Sequence, residues 1–195
     1  MELIIDLKRK TYTGDVIEPL WAYRQYGIQS DSIVVFRGPM QVELSDMKDL
    51  ADIKEAKPIY ANDAINFVIE HFDYPDIRIT YLRQRLLVMI AKEVLEEYSG
   101  KRLTRNGDDL YYNNGKLSVS IATSSITSGK IHLGINITNE GTPKDINVKT
   151  AALSDLGLVN DDQIEMIMEM IGKRYKTEVE KIEQDIRKTL PLLSR

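Results

Sequence analysis

Two stretches of strict alternation, Lys116–Ala122 and Ile131–Thr138, constrain this chain more than any other feature. Successive side chains on a strand point to opposite faces, so Leu117, Val119 and Ile121 share one side and Lys116, Ser118, Ser120 and Ala122 the other. In the second stretch Ile131, Leu133, Ile135 and Ile137 form an aliphatic face, and His132, Gly134, Asn136 and Thr138 a small, polar one. Paired with their polar faces together, the strands make a shallow floor carrying an ammonium, an imidazole, a carboxamide and several hydroxyls. A solvated face also shows polar residues at every second position. Such faces favour Thr, Lys, Glu and Arg, whereas Gly134, Ser118, Ser120 and Ala122 cover little. The small residues therefore predict a cover supplied from elsewhere, by a bound small molecule or a packed loop.

The 195 residues, 43% of them hydrophobic, suffice for a single domain over 1–195. A net charge of −4 provides no broad cationic field, so the composition does not point to nucleic acid. With no cysteine there is no disulfide, thiolate nucleophile or cysteine-held metal. Two histidines at unrelated positions match no zinc motif, and no metal ligands are predicted. No apolar run is long enough for a membrane span and Met1–Lys10 lacks a signal-peptide core, which predicts a cytoplasmic protein.

Along the chain, Leu3–Leu7 reads as a first strand and Ser32–Phe36 as a central strand buried on both sides. From Asn62 the apolar residues Ala64, Ile65, Val68, Ile69 and Phe72 recur at helical spacing, with Asn62 or Asp63 as cap and His71 near the C-terminal dipole. A second helix spans Tyr81–Tyr98 and ends at Gly100, and Asn113-Asn114-Gly115 is a hairpin turn. A long amphipathic helix covers about 161–190, with Gly172 as its candidate point of interruption. Its Met-rich start suits either the chain's own sheet or a homodimer face. The order predicts an α+β fold, a mixed and largely antiparallel sheet flanked by helices.

Lys116 is the leading candidate for chemistry, a compact cation at the head of a strand, suited to phosphate or carboxylate. His132 has the means to contact ligand or move a proton. Ser118, Ser120, Gly134 and Asn136 complete the floor. Asp109, Arg105 and Arg83 are further ligand candidates, Arg83 through two parallel hydrogen bonds to an anion. Neither a phosphate-cradling Gly-x-x-x-x-Gly-Lys loop nor a Gly-x-Gly-x-x-Gly fingerprint occurs.

Gly115–Ile121, followed by Ile131–Ile137, resembles the central hairpin of the biotin and lipoate protein ligases, where a Lys-Leu or Lys-Ile strand precedes a Gly-x-Asn strand. The resemblance implies that Lys116 is the lysine contacting the acyl group and adenylate phosphate, that Gly134 and Asn136 line the same pocket, and that ATP and magnesium are cofactors. Across most of its length the chain is also similar to an archaeal domain-of-unknown-function family, number three hundred and sixty-six, associated with that superfamily. Gly38-Pro39, Glu70–Asp73, Arg83–Leu86, Gly107–Tyr111 and Lys116–Ala122 carry this likeness. The chain departs from the ligases where they carry an arginine- and glycine-rich segment that wraps the adenylate: the corresponding stretch here is Lys101–Asp109, with Gly107 its one glycine. Two functions stay open: an adenylate-forming acyl ligase or transferase acting on a small carboxylic acid, and a noncatalytic small-molecule-binding protein that has lost the nucleotide loop.

Overall fold

The computed structural model describes residues 1–54, 59–142 and 149–192. A five-stranded sheet is built from β1 (Glu2–Asp6), β2 (Ser32–Val42), β3 (Ile59–His71), β7 (Ser118–Ser124) and β8 (Gly129–Asn136), in the order β1-β2-β3-β8-β7. Of its strand pairs, β1–β2 is parallel and the others are antiparallel. A small sheet of β4 (Thr104–Asn106), β5 (Asp109–Tyr112) and β6 (Gly115–Lys116) precedes β7. The helices are α1 (Trp21–Tyr26), α2 (Leu50–Lys54), α3 (Ile77–Ser99) and α4 (Asp161–Lys188). This is the expected α+β class with a mostly antiparallel sheet. No helix among the described residues is long and apolar enough to cross a membrane.

Alternation divides the sheet into two buried faces. Ile33, Val35, Ile65, Phe67, Ile69, Ile131, Leu133 and Ile135 pack against α3 and α4. Val34, Phe36, Ala64 and Val68 face the other way, beneath Tyr12, Val16, Trp21 and Met40. The first half of α4 places Ile164, Ile167, Met168, Ile171 and Tyr175 in this chain's own core. Gly172 does not break the helix. A Cβ there would lie 2.7 Å from Leu3 Cδ1, so its missing side chain lets α4 approach β1.

The segment read as a helix from Asn62 is instead β3. Flanked by β2 and β8, it is buried on both faces from Ala64 to His71, so its apolar residues do not alternate with exposed ones and leave no period that separates strand from helix. Asp63 accordingly caps nothing, accepting hydrogen bonds from Arg37 Nε and Nη2 and pairing with Arg9. His71 ends a strand and meets no helix dipole. Ser32–Phe36 is an inner strand as expected, buried in β2 between β1 and β3, with β3 at the middle of the five. The expected helix over Tyr81–Tyr98 is present within α3, capped by Asp76 and closed by Gly100 at φ 66°. Asn113 and Asn114, at φ 47° and 63°, make the expected left-handed turn.

The polar floor expected from β7 and β8 does not form as one face. Ser118, Ser120 and Ala122 pair with Ile135, Leu133 and Ile131, and Val119 and Ile121 pair with Gly134 and His132. Directly opposed residues point to the same side, so the serines lie on the α3 face while His132 and Gly134 lie on the other. The cause is the hairpin. Its turn, closed by Ser125 N to Ser128 O, holds four residues between Ser124 and Gly129, which sets even positions of one strand opposite odd positions of the other. Ser118 and Ser120 are absorbed into structure: Ser118 Oγ accepts from Leu110 N at 3.0 Å, and Ser120 Oγ donates to the His132 carbonyl at 2.7 Å.

Glu70 on β3 and Lys130 on β8 are direct partners in the ladder, both 1% exposed and 3.2 Å apart. Burial pulls the Lys130 pKa below its ordinary value, against the opposing pull of Glu70. Lys130→Met leaves a buried carboxylate without its cation, and urea denaturation is expected to show a loss of about 3–5 kcal/mol.

Candidate ligand cavity

On the face away from α3 and α4, the Tyr12–Ile17 connection and the Asp46–Asp49 segment rise above β7 and enclose a small cavity. Its volume is about 50 Å³. At roughly 10–15 Å³ for each water-sized group, it takes about four. Val42, Ile59, Met47, Val119 and Ile121 make most of its wall apolar, and exposed Asp46, Lys48 and Asp49 stand at the rim. Gly14 lies under the Asp46 side chain.

The floor is a stack of two rings. Tyr12 lies parallel to the His132 imidazole, with centroids 3.5 Å apart and planes at 6°. Tyr12 is held there because its amide donates to the Pro39 carbonyl and its carbonyl accepts from Gln41 N, forming a bridge to Met40 at the end of β2. A Cβ on Gly38 would collide with the Lys10 carbonyl oxygen, so glycine permits the crossing. Gly134 has a similar part, since a side chain there would strike the Met40 sulfur. The cover that the small residues called for is thus supplied above Gly134 by the protein's own Met40 and Tyr12.

His132 Nε2 lies 3.0 Å from Asn66 Oδ1. The Asn66 amide nitrogen faces the Gly38 and Ala64 carbonyls, each at 3.4 Å, which fixes its oxygen toward the imidazole. Nε2 therefore carries the proton and Nδ1 the free lone pair. Burial lowers the His132 pKa to about 3, so the ring is neutral at physiological pH.

The remaining sequence candidates do not converge on this cavity. Lys116 Nζ pairs with Asp109 Oδ2 at 2.9 Å and is not part of the lining. Burial raises the Asp109 pKa even against that lysine. Asn136 donates to the Ala151 carbonyl at 3.1 Å, tying β8 to the following loop. Arg83 makes a two-pronged pair with Asp73, and Arg105 donates to the Gly107 carbonyl. Ser120 borders the cavity, but its hydroxyl is held by Gln84 and the His132 carbonyl. Tyr12, Asn66 and the 46–49 segment were not anticipated. The triplet Thr11-Tyr12-Thr13 before Gly14 has the composition of a short extended crossing and was the available signal for the first of them.

Asp31, His71 and Asp73 bring three donor atoms within 4.8 Å of one another, at the opposite end of β3. Their partners make them a hydrogen-bond chain. His71 Nδ1 is 3.1 Å from Asp31 Oδ2, His71 Nε2 is 3.0 Å from the Tyr175 hydroxyl, and Arg83 occupies both Asp73 oxygens. Burial tends to raise the Asp31 pKa, but the bonds from His71 and the Phe72 amide hold it below its ordinary value.

The model of a domain of unknown function (DUF366) matches residues 1–190. The chain belongs to the DUF366 family. It is 53% identical to the uncharacterized protein MJ0805 of Methanocaldococcus jannaschii, over 99% of this chain and 86% of that protein. A solved protein of unknown function from Pyrococcus horikoshi is similar at TM-score 0.91 and 38% identity, covering 98% of this chain and 99% of the other. A biotin protein ligase from Aquifex aeolicus, a point mutant in complex with biotin, aligns at TM-score 0.63 and 16% identity over 94% of this chain and 72% of its own. The DUF366 chain therefore shares the fold of the biotin and lipoate protein ligases, as the hairpin resemblance implied.

The buried histidine makes stability depend on pH. An unfolded His132 binds protons below about pH 6.5, whereas the native one stays neutral down to about 3, so stability is complete above 6.5 and falls with acidification between these values. From pH 7 to 5 the expected loss from this residue is about 2 kcal/mol. Urea unfolding of the native protein and of His132→Gln at both pH values isolates it, because the variant lacks that part of the pH dependence.

Proposed function

We propose that this DUF366 protein is a noncatalytic binding module for a small carboxylic acid, with the ligand's apolar part in the cavity and its carboxylate at the rim beside Lys48. The cavity itself carries this reading: a largely apolar, partly enclosed pocket with a few placed polar groups, on one face of the central sheet. The class of ligand is suggested by the likeness to a ligase that holds biotin, itself a carboxylic acid.

The second reading is an adenylate-forming acyl ligase or transferase with Lys116 as its charge-stabilising cation. The observation favouring it is the place of Lys116 at the head of the β6–β7 strand, with Asp109 of β5 paired to it and Asp108 in the preceding turn. The arrangement around it does not fit a nucleotide and magnesium as it stands. Lys116 is neutralised by Asp109 and Arg85 by Asp108, at 2.9 Å in each pair, so these carboxylates and cations are already committed to each other. No step through ATP follows from such a set.

A panel of carboxylic acids, from short aliphatic acids to biotin and lipoate, separates the two. An acid at a hundredfold excess over its dissociation constant is expected to stabilise the protein by about 2.7 kcal/mol, read from thermal unfolding, with no pyrophosphate release when ATP and magnesium are added. Pyrophosphate formation that Lys116→Ala abolishes overturns the noncatalytic reading. An absence of stabilisation across the panel overturns acid binding.

A further inference from the structure

We propose that the stacked Tyr12 and His132 rings recognise a neutral ligand group that donates an N–H hydrogen bond and accepts one through oxygen, the amide and ureide class. The inference rests on the cavity being a ligand site and concerns which chemical group reaches its floor.

Every fully buried side-chain nitrogen and oxygen among the described residues has a hydrogen-bond partner. Among the described residues His132 Nδ1 and the Tyr12 hydroxyl have none, although each residue is only 3% exposed and both line the cavity. Neither atom is therefore among the fully buried ones, and both belong to residues that line the cavity.

The two differ in what they offer. With Nε2–H given to Asn66 Oδ1, Nδ1 is solely an acceptor, and burial keeps it unprotonated. The Tyr12 hydroxyl both donates and accepts, and burial keeps its proton on by raising its pKa. An amide edge satisfies both, its N–H donating to Nδ1 and its carbonyl accepting from the phenol. A carboxylate has no proton to give. It would leave Nδ1 dry and set a negative charge against an imidazole lone pair, a poor exchange for its water shell. A ligand of the class proposed above thus reaches the floor with an amide-like end and keeps its carboxylate at the Lys48 rim.

Acetamide and acetate, each of four heavy atoms, match the cavity and differ in the required proton. They are titrated into the full-length protein labelled with nitrogen-15 in its histidines, and the His132 Nδ1 resonance is followed by long-range proton–nitrogen correlation. Acetamide is expected to shift Nδ1 saturably and acetate to leave it in place. Tyr12→Phe, which keeps the stack and removes only the hydroxyl, is expected to weaken acetamide about fivefold. An equal shift with acetate overturns the donor requirement, as does an unchanged acetamide affinity in Tyr12→Phe for the part given to the phenol. A silent Nδ1 with both probes overturns the proposal altogether. Acid binding then stands or falls separately, on the stabilisation measured with the carboxylic acid panel.

Discussion

The register between β3 and β8 is the constraint on which the rest depends, and the buried Glu70–Lys130 pair marks it. A slip of one residue would send every side chain of β8 to the opposite face, placing His132 among the α3 contacts and Leu133 under Tyr12. It would also strand two charges in the core. Glu70 ties in more than the lysine, because its Oε1 accepts from the Ser128 hydroxyl at 2.8 Å and from the Leu20 amide at 2.8 Å. One carboxylate thus connects the β7–β8 turn, the central strand and the start of α1. Such a pair adds little net stability over apolar packing, whereas a register that parted it would leave each charge buried without its partner.

From that register the cavity follows. Asn66 lies opposite Gly134, on the same face of β3 as Val68, the partner of His132, and so reaches the imidazole diagonally across the two strands. Gly134 leaves room for Met40, and Met40 carries the bridge that lays Tyr12 over His132. The protein's own side chains fill most of the face, and what remains is a small chamber with a largely apolar wall, lined by Tyr12 and His132. The likeness to the ligases lies in the layout of strands and helices. In this chain the lysine of the hairpin is paired to its neighbouring carboxylate and is not part of the chamber's lining.

Much of this was readable in the residues. The alternation in β7 and β8, the Asn113-Asn114-Gly115 turn, the amphipathic α4 and the Gly100 stop depend on local patterns, and local patterns survive into the fold. Three features were not readable. β3 looked helical because burial on both faces erased its period. The pairing of Val119 with Gly134 depended on the length of the hairpin turn, which alternation within each strand does not report. Tyr12 and Asn66 come to His132 from 120 and 66 positions away in sequence, so only the assembled sheet brings them together. His132 was identified as a ligand candidate for its face and residue type, and its neutrality and tautomer became apparent only with those partners in place.

The state of His132 in the ligand-free protein tests the central claim most directly, since it depends at once on strand register, burial and the Asn66 contact. Nitrogen-15 spectra of the imidazole recorded at pH 5 should show a neutral ring with the proton on Nε2 and a bare Nδ1. A protonated imidazolium at that pH, or a proton on Nδ1, would contradict the account of the cavity and of the sheet that builds it.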